Sequence, residues 1–359
     1  MPRSDSCSID GFGSACMASQ GSVRERRCQS VSIDSQSRVI CSRGNRNVTE
    51  GELEPAHAAL VADPRMAMRR LPPGVSIDVL RTAANAFMAS AAGPELWRVS
   101  DRTIDAGAHL LRLRIYEPQP GAPRPYVLFL HGGGFIIGNL SSHDGLCRRL
   151  AAATGLPIVA VDYRLAPEDP FPAALEDALA ATAWLREHGG ELGLAPALWA
   201  VAGDSAGGQL ALATALRADA LGHPPRHAAL FYPLLDPTRS TTSAHALAEG
   251  YMLTGSFIDW AWEAYAGGAD CGDDPLFDVR RADLSRLPSM RIATAEFDPL
   301  RDEGDAFAQA VNATGGTCVS RRYPGVIHGF AAIPPLTAQA GEAVAFLAEG
   351  LRASLSATA

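Results

Sequence analysis

The chain has 359 residues and a formal net charge of −8, and all 31 of its basic residues are arginine. The absence of lysine excludes a Schiff base, a lysine-bound pyridoxal phosphate, a Walker-type lysine and a Ser-Lys dyad. The negative charge argues against a nucleic-acid-binding surface, and the length suits one large α/β domain with an appended cap. Enrichment in arginine, alanine, glycine and proline is typical of a bacterial protein from a GC-rich genome.

The cysteine and hydropathy patterns favour a cytoplasmic protein. Seven cysteines, an odd number without a C-x-x-C pair, predict reduced thiols rather than a disulfide framework or a zinc site. No apolar run reaches the length of about 18 residues that a membrane span needs, so no transmembrane helix is predicted.

Residues 1–47 differ from the rest of the chain, because they contain no leucine, tyrosine or tryptophan and carry seven arginines against four acids. Such a segment cannot bury a core, and we predict a disordered tail or a translation start assigned too far upstream. The apolar stretch of a signal peptide is missing, and acidic residues argue against a transit peptide. Residues 48–96 contain prolines between short apolar stretches and are predicted to form two or three short helices.

Strands and helices alternate through the centre of the chain. We predict a hairpin over residues 97–115, strands at 126–131, 157–162, 197–202 and 227–232, and helices at 143–154, 173–188 and 206–219. Alternation of this kind predicts the α/β class, with a mostly parallel sheet flanked by helices on both faces.

We assign residues 97–235 and 286–359 to the α/β core. Residues 236–285 interrupt the alternation and are predicted to be an insertion. Its aromatic side chains either supply the apolar wall of a substrate pocket or pack the insertion onto the core. The sequence does not decide between these two uses for any single residue.

The string H-G-G-G-F at residues 131–135 follows a predicted strand. Glycine lets bare backbone approach a substrate carbonyl closely and tolerates positive φ. The amides of Gly132, Gly133 and Gly134 are therefore candidate donors of an oxyanion hole.

The string G-D-S-A-G-G at residues 203–208 stands between a predicted strand and a predicted helix. The middle residue of this sharp turn is expected to be strained, and the flanking glycines let strand and helix pass closely. We predict Ser205 as a nucleophile, with the Ala206 amide as a further oxyanion donor. A lone G-x-S-x-G also fits an ordinary glycine-rich turn, but the two strings together favour a serine hydrolase.

A serine nucleophile needs a histidine to remove its proton and a carboxylate to orient that histidine. In α/β folds with the serine at a strand-to-helix turn, the carboxylate follows the serine in the chain and the histidine comes last. Asp298 follows a strand predicted at 290–295, at the sheet edge where catalytic groups collect. Glu296, which directly follows the predicted strand and can extend it, and Asp302, which is better placed to start the next helix, are the competing acids. Asp298 followed by proline is also a common helix N-cap, so a purely structural use stays open.

Four histidines follow Ser205. His223 and His227 flank a diproline turn, and His245 lies in a Ser/Thr-rich stretch. His328 follows the last predicted strand and precedes the helix predicted at 337–351. We therefore predict Ser205, Asp298 and His328 as the catalytic triad, with activity falling at acid pH as the histidine takes up a proton.

These motifs resemble the hormone-sensitive-lipase-like (bacterial family IV) esterases of the α/β-hydrolase superfamily. Further matches are D-Y-R-L-A-P-E at 162–168, D-P-L-R-D-E at 298–303 and H-G-F at 328–330, so the resemblance runs from about residue 50 to the C-terminus.

The resemblance implies the α/β-hydrolase fold, the same triad, and oxyanion donors at Gly133, Gly134 and Ala206. It also implies that the helices of residues 48–96 and the insertion at 236–285 together form a cap over the active site, and that residues 162–168 brace the active-site loops. It suggests a homodimer through sheet edges or C-terminal helices.

The sequence therefore predicts a serine carboxylesterase that hydrolyses short- to medium-chain esters of small molecules, without a metal or an organic cofactor. Amidase, lactonase and deacetylase activities stay open, because pocket shape selects the substrate. The alternative from another class is a binding protein. Plant gibberellin receptors resemble this family but lack the catalytic histidine, which this chain retains at His328.

Overall fold

The computed structural model describes residues 51–121 and 123–356, together with the backbone of two short strands, Val31–Ile33 (β1) and Val39–Cys41 (β2). These strands pair antiparallel, and the sequence analysis did not anticipate them. The tail predicted at residues 1–47 otherwise lies outside the described residues.

The main sheet has eight strands within the described part of the chain. They are β3 (Arg98–Asp105), β4 (Leu110–Glu117), β5 (Arg124–Leu130), β6 (Ile158–Val161), β7 (Leu194–Asp204), β8 (His227–Phe231), β9 (Ser289–Phe297) and β10 (Cys318–Ile327). Their spatial order is β10-β9-β8-β7-β5-β6-β4-β3. Only β4 runs against the others, because it pairs antiparallel with both β3 and β6. The mostly parallel sheet predicted from the sequence is confirmed.

Helices cover both faces of this sheet. The α-helices of the described residues are α1 (Pro55–Ala62), α2 (Ile77–Ala89), α3 (Asp144–Thr154), α4 (Ala173–His188), α5 (Ala206–Ala220), α6 (Thr242–Ala246), α7 (Gly255–Ala266), α8 (Arg301–Ala313) and α9 (Ala338–Ser356). Of these, α3 and α9 pack on one face of the sheet, and α4, α5 and α8 pack on the other.

Side chains of β5 alternate between two apolar cores. Leu128 and Leu130 pack in the core that contains residues of α4 and α5, whereas Val127 and Phe129 pack in the core that contains residues of α3 and α9. A strand that is apolar on both faces must be buried on both sides, which places β5 in the middle of the sheet.

The N-terminal helices and the insertion meet above the sheet. Met68, between α1 and α2, forms a parallel bridge with Leu253, just before α7. The Met68 N–H donates to the Met252 carbonyl at 2.7 Å, and the Thr254 hydroxyl donates to the Met68 carbonyl. We call this contact between residues 68 and 252–254 the cap clasp.

Among residues 51–121 and 123–356, none of the helices combines the length and the apolar character that a bilayer crossing requires.

Candidate active site

Four parallel strands of the sheet end at the same edge, and each is followed by a residue predicted for the site. β5 leads into residues 131–135, which we call the glycine loop, β7 into Ser205, β9 into Asp298 and β10 into His328. Because the carboxyl ends of parallel strands meet at one edge, side chains that are far apart in the sequence converge there.

Ser205 occupies a strained turn between β7 and α5, with φ 52° and ψ −121°. A Cβ on Gly203 would lie 2.2 Å from the Gly207 carbonyl oxygen, and a Cβ on Gly207 would lie 2.0 Å from the Leu130 carbonyl oxygen. Both positions therefore require glycine. The Ser205 carbonyl accepts from the Gly208 and Leu234 amides at 2.9 and 3.0 Å, and these bonds hold the unfavourable conformation in place.

Ser205, His328 and Asp298 form a continuous hydrogen-bonded chain. The His328 Nε2 atom lies 3.0 Å from the Ser205 Oγ, and the His328 Nδ1 atom lies 2.8 Å from the Asp298 Oδ2. An ionised carboxylate can only accept, so the imidazole proton is on Nδ1 and the lone pair of Nε2 faces the serine hydroxyl. All three residues are buried.

Asp298 also accepts the Leu300 amide on Oδ1 at 2.8 Å. The N-cap of α8 is Leu300 rather than Asp298, so the carboxylate shapes the turn before the helix and contacts His328 at the same time. The catalytic and structural interpretations of this position are therefore compatible.

The competing candidates lie elsewhere. Glu296 accepts the Gly51 and Gly325 amides, and Asp302 accepts the Ser243 amide at 2.9 Å. His227 begins β8 at the opposite edge of the sheet, and His245 is exposed in α6.

The glycine loop presents amides toward the space in front of Ser205. Gly133 and Gly134 have φ values of 122° and 60°, and within the described residues no group accepts a hydrogen bond from either amide. Ala206 is the first residue of α5, so its N–H belongs to the unpaired first turn of the helix. These three amides are free to bind an anionic oxygen.

Gly132 differs from its two neighbours, and the prediction that it supplies an oxyanion donor is wrong. Its N–H donates to the Asp204 Oδ1 at 2.8 Å, and a Cβ at this position would lie 2.4 Å from the Asp204 Oδ2. The Gly132 amide therefore anchors the loop from below.

Asp204 links the two glycine strings, a role that the sequence analysis missed. Besides Gly132, the carboxylate contacts the His143 Nε2 at 3.3 Å, and the His143 Nδ1 lies 2.9 Å from the Ser142 hydroxyl. Burial alone would raise the pKa of Asp204. Electrostatic attraction to His143, the hydrogen bond with His143 and the hydrogen bond from the Gly132 amide outweigh this effect, and the pKa lies below its ordinary value. Asp204 is thus a carboxylate at neutral pH.

Further contacts brace the same loop from the side. The Tyr163 hydroxyl donates to the His131 carbonyl at 2.6 Å, and the Tyr163 ring stacks on the His131 ring at 4.2 Å between centroids. Burial and the neighbouring His143 lower the pKa of His131 to about 4, so this imidazole is neutral at pH 7. Arg81 of α2 donates to the Ile136 carbonyl at 2.8 Å and pairs with Glu168. Glu168 belongs to the 162–168 motif, and Arg81 is a bracing residue that no sequence signal marked.

A narrow, mainly apolar cavity of about 50 Å³ opens above Ser205. Its walls come from the site loops and from both parts of the cap. The cap residues that line it are Met68, Met88, Met252, Leu253, Phe257, Ile258 and Ala261. Trp262 and Tyr265 of the insertion instead stack around Phe135. Both uses predicted for the insertion aromatics therefore occur, at different residues.

Comparisons with known proteins point to one family. A sequence model described as alpha/beta hydrolase fold matches residues 127–332. The carboxylic ester hydrolase LipN of Mycobacterium tuberculosis is 36% identical over 336 residues, which cover 90% of this chain and 89% of that protein. An ethyl acetate hydrolase of Pseudomonas putida is 36% identical over 265 residues, covering 72% of this chain and 83% of that protein. A solved esterase structure from Pyrobaculum calidifontis has a TM-score of 0.78 at 37% identity, covering 84% of this chain and 98% of that one.

The sheet topology and the strained serine turn between strand and helix define an α/β hydrolase. Within that class, the chain belongs to the hormone-sensitive-lipase-like esterase family.

The Asp204 contacts predict a specific pattern of stability loss. Asp204→Ala leaves the buried Gly132 N–H without an acceptor and His143 without its carboxylate, and we expect the free energy of unfolding to fall by about 2–3 kcal/mol. Asp204→Asn keeps one oxygen for Gly132 and should lose less than half of that. Urea unfolding at pH 7 measures both, and equal losses for the two variants would contradict the anchoring role.

Proposed function

We propose that the protein is a serine carboxylesterase that hydrolyses short- to medium-chain esters through an acyl-enzyme on Ser205. The observation that carries this proposal is the hydrogen-bonded chain from Ser205 through His328 to Asp298, facing three unpaired backbone amides. Named relatives act as carboxylic ester hydrolases, and this chemistry needs no group beyond the residues of the chain.

In the acylation step, the Ser205 Oγ attacks the ester carbonyl carbon while its proton passes to the His328 Nε2. The carbonyl oxygen becomes an oxyanion, which the Gly133, Gly134 and Ala206 amides stabilise. When the tetrahedral intermediate collapses, the bond to the alcohol oxygen breaks, and His328 returns the proton to the leaving alcohol.

Deacylation repeats the same steps with water. A water molecule gives a proton to His328 and attacks the acyl carbon, and the same amides hold the second oxyanion. Collapse of this intermediate breaks the bond to the Ser205 oxygen, which takes the proton back from His328. Asp298 keeps the imidazole oriented and stabilises the imidazolium in both steps.

The cavity supports a preference for small acyl groups. Its volume of about 50 Å³ is roughly a third of the ~150 Å³ cavity that accommodates benzene in a protein core. The almost fully buried side chain of Met252 narrows this cavity. The Met252 backbone has the uncommon φ of 69°, and the cap clasp fixes its carbonyl. Longer acyl chains therefore require the methionines of the cap to move.

Hydrolysis of p-nitrophenyl butyrate tests the roles of the three residues. We expect Ser205→Ala and His328→Ala to lose roughly 10⁴-fold or more in kcat, and Asp298→Asn to lose about 10⁴-fold because the imidazole takes the wrong tautomer. Asp302→Asn is the matched control, since that carboxylate lies in the same motif but contacts Ser243 instead of His328. Wild-type activity in Ser205→Ala, or equal losses in the two aspartate variants, would refute the assignment.

A series of p-nitrophenyl esters from acetate to palmitate tests the size limit. We expect the wild-type rate to peak between acetate and hexanoate, and Met252→Ala to move the peak to longer chains because the side chain that narrows the cavity is removed. Met290→Ala is the control, because Met290 is buried in β9 and does not line the cavity. An unchanged profile in Met252→Ala would show that this residue does not limit the acyl group.

A further inference from the structure

Glu296 is a buried carboxylate beside the triad that the proposed mechanism does not use. It lies in β9, two residues before Asp298, and only 8% of the residue is exposed. Placing a carboxylate at this depth costs free energy unless hydrogen bonds compensate for the lost water. Its hydrogen-bond partners therefore indicate what the carboxylate does.

The two carboxylate oxygens accept amides from two separate segments. The Gly51 N–H donates to Oε1 at 2.9 Å, and the Gly325 N–H donates to Oε2 at 3.0 Å. The Gly325 carbonyl in turn accepts the Glu54 N–H at 2.8 Å. Glu296 thus lies between the segment that leads into α1 and the loop that leads to His328.

The pairing of β9 with β10 is irregular at this position. Tyr323 pairs with Ala295 and Ile327 pairs with Phe297, so residues 324–326 bulge out opposite the single residue Glu296. Ladder pairing is therefore interrupted over residues 324–326 and resumes only at Ile327, the residue before His328. The bond from Gly325 to the Glu296 carboxylate restrains the bulge where the strand ladder does not, and Gly325 has the left-handed φ of 72° that this bulge requires.

We propose that Glu296 is a positioning residue, which sets the distance between His328 and Ser205 by holding the 324–326 bulge and fastens the N-terminal part of the cap to the same loop. This inference rests on the proposed esterase function. A carboxylate suits the role because both of its oxygens accept, and hydrogen bonds to a charged acceptor are the stronger kind.

Two substitutions of Glu296 distinguish the effect of its negative charge from the effect of its side-chain length. Glu296→Gln keeps the shape but turns an NH₂ group toward one of the two amide donors, so at least one bond is lost. Glu296→Asp keeps the charge but is one methylene too short to reach both amides. Glu117→Gln is the matched control, because Glu117 is a buried carboxylate at the end of β4 that accepts hydrogen bonds from the Arg98 and Arg124 side chains and does not line the cavity.

Steady-state hydrolysis of p-nitrophenyl butyrate at 25 °C, with melting temperatures measured in parallel, tests the inference. We expect kcat to fall about 10- to 100-fold in Glu296→Gln, because a shift of about 1 Å in a catalytic group costs up to about 100-fold. KM should change little, since Glu296 does not line the cavity. Glu296→Asp should give a smaller loss, and Glu117→Gln should lower the melting temperature with kcat unchanged.

Wild-type kcat in folded Glu296→Gln would overturn the inference, and if that variant does not fold, wild-type kcat in Glu296→Asp would do the same. A crystal structure of either variant gives a test that does not depend on activity. We expect the separation between the Ser205 Oγ and the His328 Nε2 to exceed hydrogen-bonding distance, and an unchanged 3.0 Å separation would overturn the inference. An inactive wild type would refute the proposed esterase function alone.

Discussion

The backbone of Ser205 turns with φ 52° between β7 and α5, and this turn closes only because Gly203 and Gly207 carry no Cβ. The constraint places the hydroxyl above a helix N-terminus and beside the unpaired Ala206 amide. It also brings the first turn of α5, at Gly207, against the β5 carbonyl at Leu130, which fixes the starting point of the glycine loop. The hydrogen bonds to His328 and the direction of the oxyanion amides both depend on this geometry.

Carboxylates next to the reacting residues hold the loops that those residues need. Asp204 precedes Ser205 and anchors the glycine loop through the Gly132 amide. Glu296 precedes Asp298 by two residues and accepts the Gly325 amide three residues before His328. In each case a backbone N–H is the donor, so the carboxylate restrains the path of the main chain. Preorganisation of this kind lets the amides meet the developing charge without rearranging.

The strands and helices, and the residues that meet at the sheet edge, could be predicted from the sequence, because strand ends, glycine strings and chain order are local features. The directions in which side chains point could not be predicted. The residue types of the glycine string do not distinguish Gly132 from Gly133 and Gly134; the family resemblance pointed to the last two, and the Asp204 side chain, which accepts the Gly132 amide, gives the physical reason. The cap clasp joins Met68 to Met252 by a backbone hydrogen bond and to Thr254, 186 positions away, by a hydroxyl-to-carbonyl bond. No residue type in either segment signals this contact. The pair β1 and β2 lies in a segment whose composition predicted no structure.

Covalent labelling of the native enzyme by a fluorophosphonate, followed by peptide mapping with mass spectrometry, tests most directly whether Ser205 is the nucleophile of a preorganised site. The account predicts loss of esterase activity in proportion to labelling, with one phosphonyl group per chain on the peptide that contains Ser205, and very slow labelling of the same peptide in His328→Ala. Labelling of another residue, or full esterase activity after Ser205 has been modified, would contradict it.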